Sequence, residues 1–315
     1  MFAGVSGGAL VCAGGANFPE KPLAEGGQKV WHDRIFALAH PQGSWREIGR
    51  LPAASGYGVS ATWRDRVVLA GGSDVQTHSA ACLTMQWDGT HLALRPLPSL
   101  PCPIANACGA LVDDTLFVAG GQETPTSTSA LARCFALDLG APEPAWKEVP
   151  WPAAAPARIL AVAAAGPGTF YLFSGAELIP QAHGGAERRY LNDAWSFQAD
   201  RGWRRLADLP HAVVAAPSPA MITTDGGFVI AGGVWPEYLS ALPKDAPHPG
   251  FSRDLLRYDV AADRWTVLSA PATPNAAPAR VTAPLAAWQD LFVIPSGEVA
   301  PGIRTPSVLT YSRAP

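Results

Sequence analysis

The sequence predicts an all-β fold, a single six-bladed β-propeller spanning residues 1–315, on three observations. Six short apolar runs each end in a pair of small residues. A second, partly alternating segment follows each pair, as in half-buried strands. A tryptophan-led segment that closes on proline then recurs along the chain. Such repetition is the primary signal of a repeat architecture and precedes any local motif.

The apolar runs are ALVCAGG ending at Gly15, RVVLAGG at Gly72, TLFVAGG at Gly121, TFYLFSG at Gly175, GFVIAGG at Gly233 and LFVIPSG at Gly297. Each reads as a strand followed by a tight turn that needs the backbone freedom of glycine. The second elements are Arg34–Ala39, Ala81–Trp87, Ala130–Leu137, Asn192–Phe197, Asp254–Tyr258 and Ser307–Tyr311. The third are Ser44–Pro52, Ala145–Pro152, Gly202–Pro210 and Arg264–Pro271, with a weaker His91–Pro98 in the second unit. A fourth element precedes each diglycine strand, for example Tyr57–Trp63. Four strands per unit and six units match propeller blades, and the diglycines make the blades kelch-type. One blade cannot bury both faces of its sheet, so Trp45, Trp146, Trp203 and Trp265 are expected to fill space between neighbours. Only five segments occupy the tryptophan-strand position, and the chain opens on an inner-strand candidate, Phe2–Gly7. The last blade is therefore expected to close near the termini, lacking one strand or taking it from a preceding segment.

Composition narrows the function. Net charge is -3 with no basic stripe, which predicts no nucleic-acid partner. No apolar run is long enough to predict a membrane span. The apolar start MFAGVSGGALVCAGG lacks a basic leader and reads as strand rather than signal peptide. Cys12, Cys82, Cys102, Cys108 and Cys134 show neither zinc-site nor disulfide-framework spacing and read as buried thiols. The seven histidines are scattered, so neither a metal nor another cofactor is expected.

Chemistry on a propeller is expected in the long connections at one mouth of its tunnel. Those here are Ala16–His32, Ala176–Tyr190, Val234–Ser252 and Gly297–Pro306. The most distinctive stretch is GEVAPGIRTP, where Glu298 and Arg304 flank a Pro301–Gly302 turn that could aim both into one cavity. A carboxylate can move protons, and a guanidinium can hold a carboxylate through paired hydrogen bonds. On spacing alone, a loop-bracing ion pair explains them as well. Asn17, Phe18, Lys29 and His32 lie in the first long connection, and Tyr57 precedes an inner strand. Arg158 and Arg280 share a Pro-Ala-Arg context before inner strands, which makes them centre-facing candidates or blade braces. Trp235 and Tyr238 are candidates for an apolar wall, and Glu177, Arg188 and Arg189 are expected to face solvent.

Three segments in order, Gly4–Ile35, Leu51–Trp63 and GEVAPGIRTP, resemble the cyclically permuted subgroup of the N-acetylneuraminate (sialic acid) mutarotase or epimerase family. The resemblance implies an enzyme that equilibrates the α and β anomers of free N-acetylneuraminic acid, without cofactor or metal. It makes Glu298 and Arg304 the catalytic pair. Asn17, Phe18, Tyr57, Arg158 and Arg280 become the substrate-binding candidates, and a small sugar acid the partner. It also implies a periplasmic location, with a cytoplasmic one as the alternative because the sequence shows no signal peptide. Oligomeric state is not legible. A noncatalytic kelch module that binds a protein or glycan stays open, as do a copper oxidase, which would need clustered ligands, and a glycosidase, which would need two carboxylates.

Overall fold

The computed structural model describes residues 1–236, 248, 250–268 and 277–313. Six antiparallel sheets follow one another along the chain, each starting with the strand nearest the tunnel and moving outward. Blade 1 is Phe2–Ser6, Ala9–Ala13, Arg34–Leu38 and Arg46–Arg50. Blade 2 is Val59–Trp63, Arg66–Ala70, Cys82–Trp87 and Leu92–Leu97. Blade 3 is Cys108–Val112, Thr115–Ala119, Cys134–Asp138 and Trp146–Val149. Blade 4 is Val162–Gly166, Thr169–Phe173, Ala194–Gln198 and Gly202–Leu206, and blade 5 is Met221–Ile222, Phe228–Ala231, Leu255–Asp259 and Arg264–Leu268. Blade 6 has three strands among the described residues, Ala286–Trp288, Leu291–Ile294 and Leu309–Ser312. The expected second elements Ala130–Leu137, Asn192–Phe197 and Ser307–Tyr311 begin later than the sequence suggested, at Cys134, Ala194 and Leu309.

The second strand of each blade is covered on both faces by neighbouring blades. Ala9–Ala13 and Thr169–Phe173 are buried at every position, which explains continuous apolar runs where half-buried strands would alternate. The core is correspondingly divided among the gaps between blades. Ala3, Leu10 and Cys12 of blade 1 meet Ala286, Trp288 and Val293 of blade 6, closing the ring apolar side to apolar side. Trp288 Nε1 also donates to the Gly8 carbonyl at 2.8 Å across that seam.

The small-residue pairs join one blade to the next. The amides of Gly15, Gly72 and Gly121 donate to the carbonyls of Ser55, Ile104 and Arg158 at 2.7, 2.8 and 2.8 Å. Gly120 has φ +69°, and a Cβ there would overlap the Arg158 carbonyl of the next blade. In blade 4 Ser174 takes the first glycine's place at φ +56°. Its hydroxyl donates to Leu191 O at 2.7 Å and accepts the Val213 amide at 2.8 Å, so a side chain does the joining.

Three of the recurring tryptophans bridge backwards as expected. Trp146, Trp203 and Trp265 donate their indole N–H to the carbonyls of Pro98, Pro150 and Ala207, each in the preceding blade. Trp45 differs: it is 37% exposed, on the side where blade 6 has no fourth strand among the described residues.

Candidate active site at the tunnel mouth

One backbone position repeats around the tunnel. Tyr57, Asn106, Leu160, Ala215 and Thr282 stand just before the inner strands of blades 2 to 6, and all have φ between +52° and +61°. This left-handed conformation, uncommon for non-glycine residues, turns each amide toward the preceding blade. Asn106 N donates to Tyr57 O at 2.9 Å; Leu160 N to Asn106 O, Ala215 N to Leu160 O and Thr282 N to Ala215 O follow at 2.8 Å. Among the described residues this necklace ends at Thr282. Arg304 spans the remaining gap, its Nη2 donating to Thr282 Oγ1 at 3.1 Å and Tyr57 Oη at 3.0 Å.

A second repeating position lies immediately after each small-residue pair. Ser73, Gln122, Ala176, Val234 and Glu298 each form an antiparallel bridge to the residue before the necklace position of their own blade. Only Glu298 of these five is charged. It sits in a hairpin, Gly297–Ala300 with Ile303–Thr305, in which Glu298 and Arg304 are direct cross-strand partners. Their side chains pair at 3.0 Å with 19% and 11% exposure. Gly302 N donates to Glu298 Oε1 at 3.0 Å, so the turn itself holds the second carboxylate oxygen.

The pair opens onto a cavity of about 540 Å³ at the tunnel mouth. Lys29, Tyr57, Asn106, Gln122, Glu298 and Arg304 are among its polar lining, with Trp31, Tyr190 and Phe251 supplying apolar wall. His78 also lines it; burial holds its imidazolium below the ordinary value, against the Gln122 carbonyl and Asp74, which raise it. Asp74 is held below the usual carboxylate value by the Thr77 and Gln76 amides. Among the described residues no three His, Cys, Asp or Glu side chains are arranged to hold a metal ion, and no helix is long and apolar enough to cross a membrane.

Among the described residues the long connections seen in the sequence are not irregular. Three carry inserted hairpins, Ala16–Asn17 with Val30–Trp31, Ala176–Pro180 with Ala186–Tyr190, and the Glu298 hairpin. The fourth, Val234–Ser252, lies largely outside the described residues, as does Tyr238. Of the sequence candidates, Lys29, Tyr57, Glu298 and Arg304 come together. Asn17 Oδ1 accepts from His32 Nε2 at 2.8 Å, and both residues line an adjoining cavity of about 250 Å³ rather than the mouth. Phe18 lies against the Lys29 ammonium. Trp235 stacks on His211, ring centroids 4.2 Å apart.

Arg158 and Arg280 require correction as substrate-binding candidates. Arg158 is fully buried, paired with Asp193 at 2.6 Å and donating to Ser174 O at 2.9 Å. Arg280 is 2% exposed and donates to Pro278 O and Ser307 Oγ. Both stand two residues before the necklace position, where the side chain enters the blade rather than the tunnel. Arg188, expected in solvent, is exposed but lines the cavity, while its neighbour Arg189 pairs with Glu177. Asn106, Gln122 and Thr282 were missed as single residues. Aligning the units on their small-residue pairs would have found them.

The fold and site define a six-bladed propeller with a paired carboxylate and guanidinium inside a polar cavity at its axis. The chain is related to the N-acetylneuraminate epimerase family: the model of that family, NANM: N-acetylneuraminate epimerase, matches residues 1–94. The N-acetylneuraminate epimerase of Yersinia pestis (strain Pestoides F) is 37% identical over 101 residues, covering 29% of this chain and 25% of that protein. That of Pasteurella multocida (strain Pm70) is 34% identical over 103 residues, covering 29% and 27%. The match thus spans about a quarter of these relatives' length. The solved structure of YjhT shares the fold, with a TM-score of 0.67 over 85% of this chain and 83% of that chain at 13% identity.

Proposed function

We propose that the protein interconverts the α and β anomers of free N-acetylneuraminic acid. The observation that carries this reading is the Glu298–Arg304 pair, fixed in one hairpin and facing the mouth cavity. The names of relatives that match 29% of the chain, and the family model that matches residues 1–94, support the same substrate.

In this mechanism Glu298 takes the proton of the anomeric C2 hydroxyl. The C2–O6 bond breaks, its electron pair staying on O6, and O6 receives a proton from a positioned water or from the carboxyl just formed. The open-chain ketone rotates about C2–C3 and presents its other face. O6 then attacks C2 as the proton transfers run in reverse, and one carboxyl group serves both directions. Arg304 holds the Glu298 carboxylate toward the cavity, and Tyr57 and Thr282 hold Arg304. The reaction as written consumes nothing and involves no redox change.

The test is proton NMR of freshly dissolved single-anomer substrate. Wild type is expected to accelerate the approach to the anomeric equilibrium, and E298Q to lose about 100-fold or more of that acceleration. E298Q with unchanged catalysis would remove Glu298 from the mechanism. A wild type that binds the sugar without accelerating exchange would leave a noncatalytic glycan-binding propeller. The same reading takes the chain as a cyclically permuted form of the family, checked by superposing it on an epimerase structure with chain order shifted by whole blades. It also carries a periplasmic location, checked by fractionating cells that express the full-length natural protein.

A further inference from the structure

Arg304 is already occupied. Its Nη2 carries two N–H groups and serves three acceptors, Tyr57 Oη, Thr282 Oγ1 and Glu298 Oε2, at 3.0 to 3.1 Å. Its Nε is enclosed, with no surface for a ligand to reach. A two-pronged clamp on a ligand carboxylate needs two adjacent guanidinium nitrogens, and at most Nη1 remains. A sugar acid bound here needs another cation close to Glu298.

Lys29 meets that need. Its ammonium stands 5.6, 5.3 and 5.1 Å from the ring centres of Phe18, Trp31 and Tyr57. Aromatic faces attract a cation within about 6 Å. They carry no formal charge, so they fix the ammonium without neutralising it. No carboxylate lies within 4.0 Å of it among the described residues. Lys29 and Arg304 share the Tyr57 ring, with the Arg304 guanidinium 5.5 Å from its centre, which puts both on the Glu298 side of the cavity. The exposed cation in the lining, Arg188, belongs to the blade 4 hairpin, across the tunnel from blade 1.

We propose that Lys29 binds the substrate carboxylate and that Arg304 acts as the positioning residue for Glu298. This rests on the sugar-acid reading above and assigns its substrate charge to a specific residue. The C1 carboxylate is bonded directly to C2, the carbon that Glu298 must serve, so the cation that holds it has to lie beside Glu298. A caged ammonium on that side satisfies the requirement. A lysine in three aromatic faces also pays little further ordering cost on binding, because its flexible stem is already held.

The experiment compares wild type, K29Q and K29R on N-acetylneuraminic acid and on its methyl ester, by exchange NMR for rates and calorimetry for binding. For the acid, K29Q is expected to raise KM and Kd about 10- to 100-fold with kcat within about 3-fold, the loss of one charge-assisted contact. K29R is expected to restore most of it. For the neutral ester, wild type and K29Q are expected to match. Equal losses on acid and ester would show a merely structural lysine and overturn the proposal, as would an unchanged KM for the acid in K29Q. Wild type that neither binds nor exchanges the acid would instead overturn the sugar-acid reading, and the proposal with it.

Discussion

Replacing Asp193 with alanine separates a structural arginine from a substrate-binding one. In the native structure Asp193 receives Arg158 Nη1 at 2.8 Å and Nη2 at 2.6 Å, and Trp195 Nε1 at 2.6 Å. The Arg158 side chain has no exposed surface and that of Asp193 has 9%. Asp193→Ala therefore strands a charged guanidinium in the blade, a change that costs about 3–5 kcal/mol. Unfolding entropy of about 2.1 cal/mol/K per residue makes each kcal/mol worth about 1.5 °C in a chain of 315 residues. The midpoint of thermal unfolding should fall by about 5–8 °C, read by circular dichroism. The pair also sets a pH response. Burial pushes the Asp193 carboxyl up, but hydrogen bonds and charge from Arg158, with Trp195 and Arg205, outweigh it and hold the carboxyl below its ordinary value. A depressed carboxylate stabilises fully above its unfolded value, about 3.9, and loses that contribution as pH falls further through the folded value. Wild type should thus lose stability below about pH 4 more steeply than D193A. Replacing both partners, R158M/D193L, should recover at least half the lost stability, since an apolar pair fills the site without a stranded charge. A D193A midpoint within about 1 °C of wild type, or a raised KM at unchanged midpoint, would refute the bracing role and return Arg158 to the substrate.

Other expectations follow from the same geometry. Gly120→Ala should destabilise at least twice as much as Gly168→Ala in denaturant titrations. Both have φ near +60 to +69°, which alone costs about 1–2 kcal/mol, but only Gly120 faces the next blade's carbonyl while Gly168 has open space. Tyr57→Phe and Thr282→Val each remove one acceptor from Arg304 and should lower kcat about 3- to 30-fold, with Kd for the acid within about 3-fold. Burial pushes the thiols of Cys12 and Cys108 up to about 12 and that of Cys82 to about 11, and holds that of Cys134 well above its ordinary value. A thiol reagent at pH 8 should therefore label Cys102 first in the native protein, and all five cysteines only after unfolding.

The blades were legible because the second strands are buried on both faces and end in a left-handed turn, which glycine takes in most units and Ser174 in blade 4. Pattern and punctuation then agree at every unit. Glu298 and Arg304 were legible for a related reason: a Pro–Gly turn makes residues six apart in sequence into cross-strand neighbours. The Pro-Ala-Arg contexts misled because equivalence between blades is genuine there, yet the shared position is an interface one. Two residues further on, the same equivalence reaches the tunnel at Leu160 and Thr282. Lys29 could not be ranked from its own neighbourhood. The Tyr57 ring that completes its cage comes from the following blade, and no local spacing reports such a contact.

The central claim is that the mouth cavity, with Glu298 at its wall, is where the sugar acid reacts. A crystal structure of E298Q soaked with N-acetylneuraminic acid tests it most directly. The account predicts the C2 hydroxyl within hydrogen-bond reach of residue 298, about 3 Å, and the C1 carboxylate against Lys29. Sugar bound only on the outer rim of the blades, with the mouth cavity empty of it, would contradict the account.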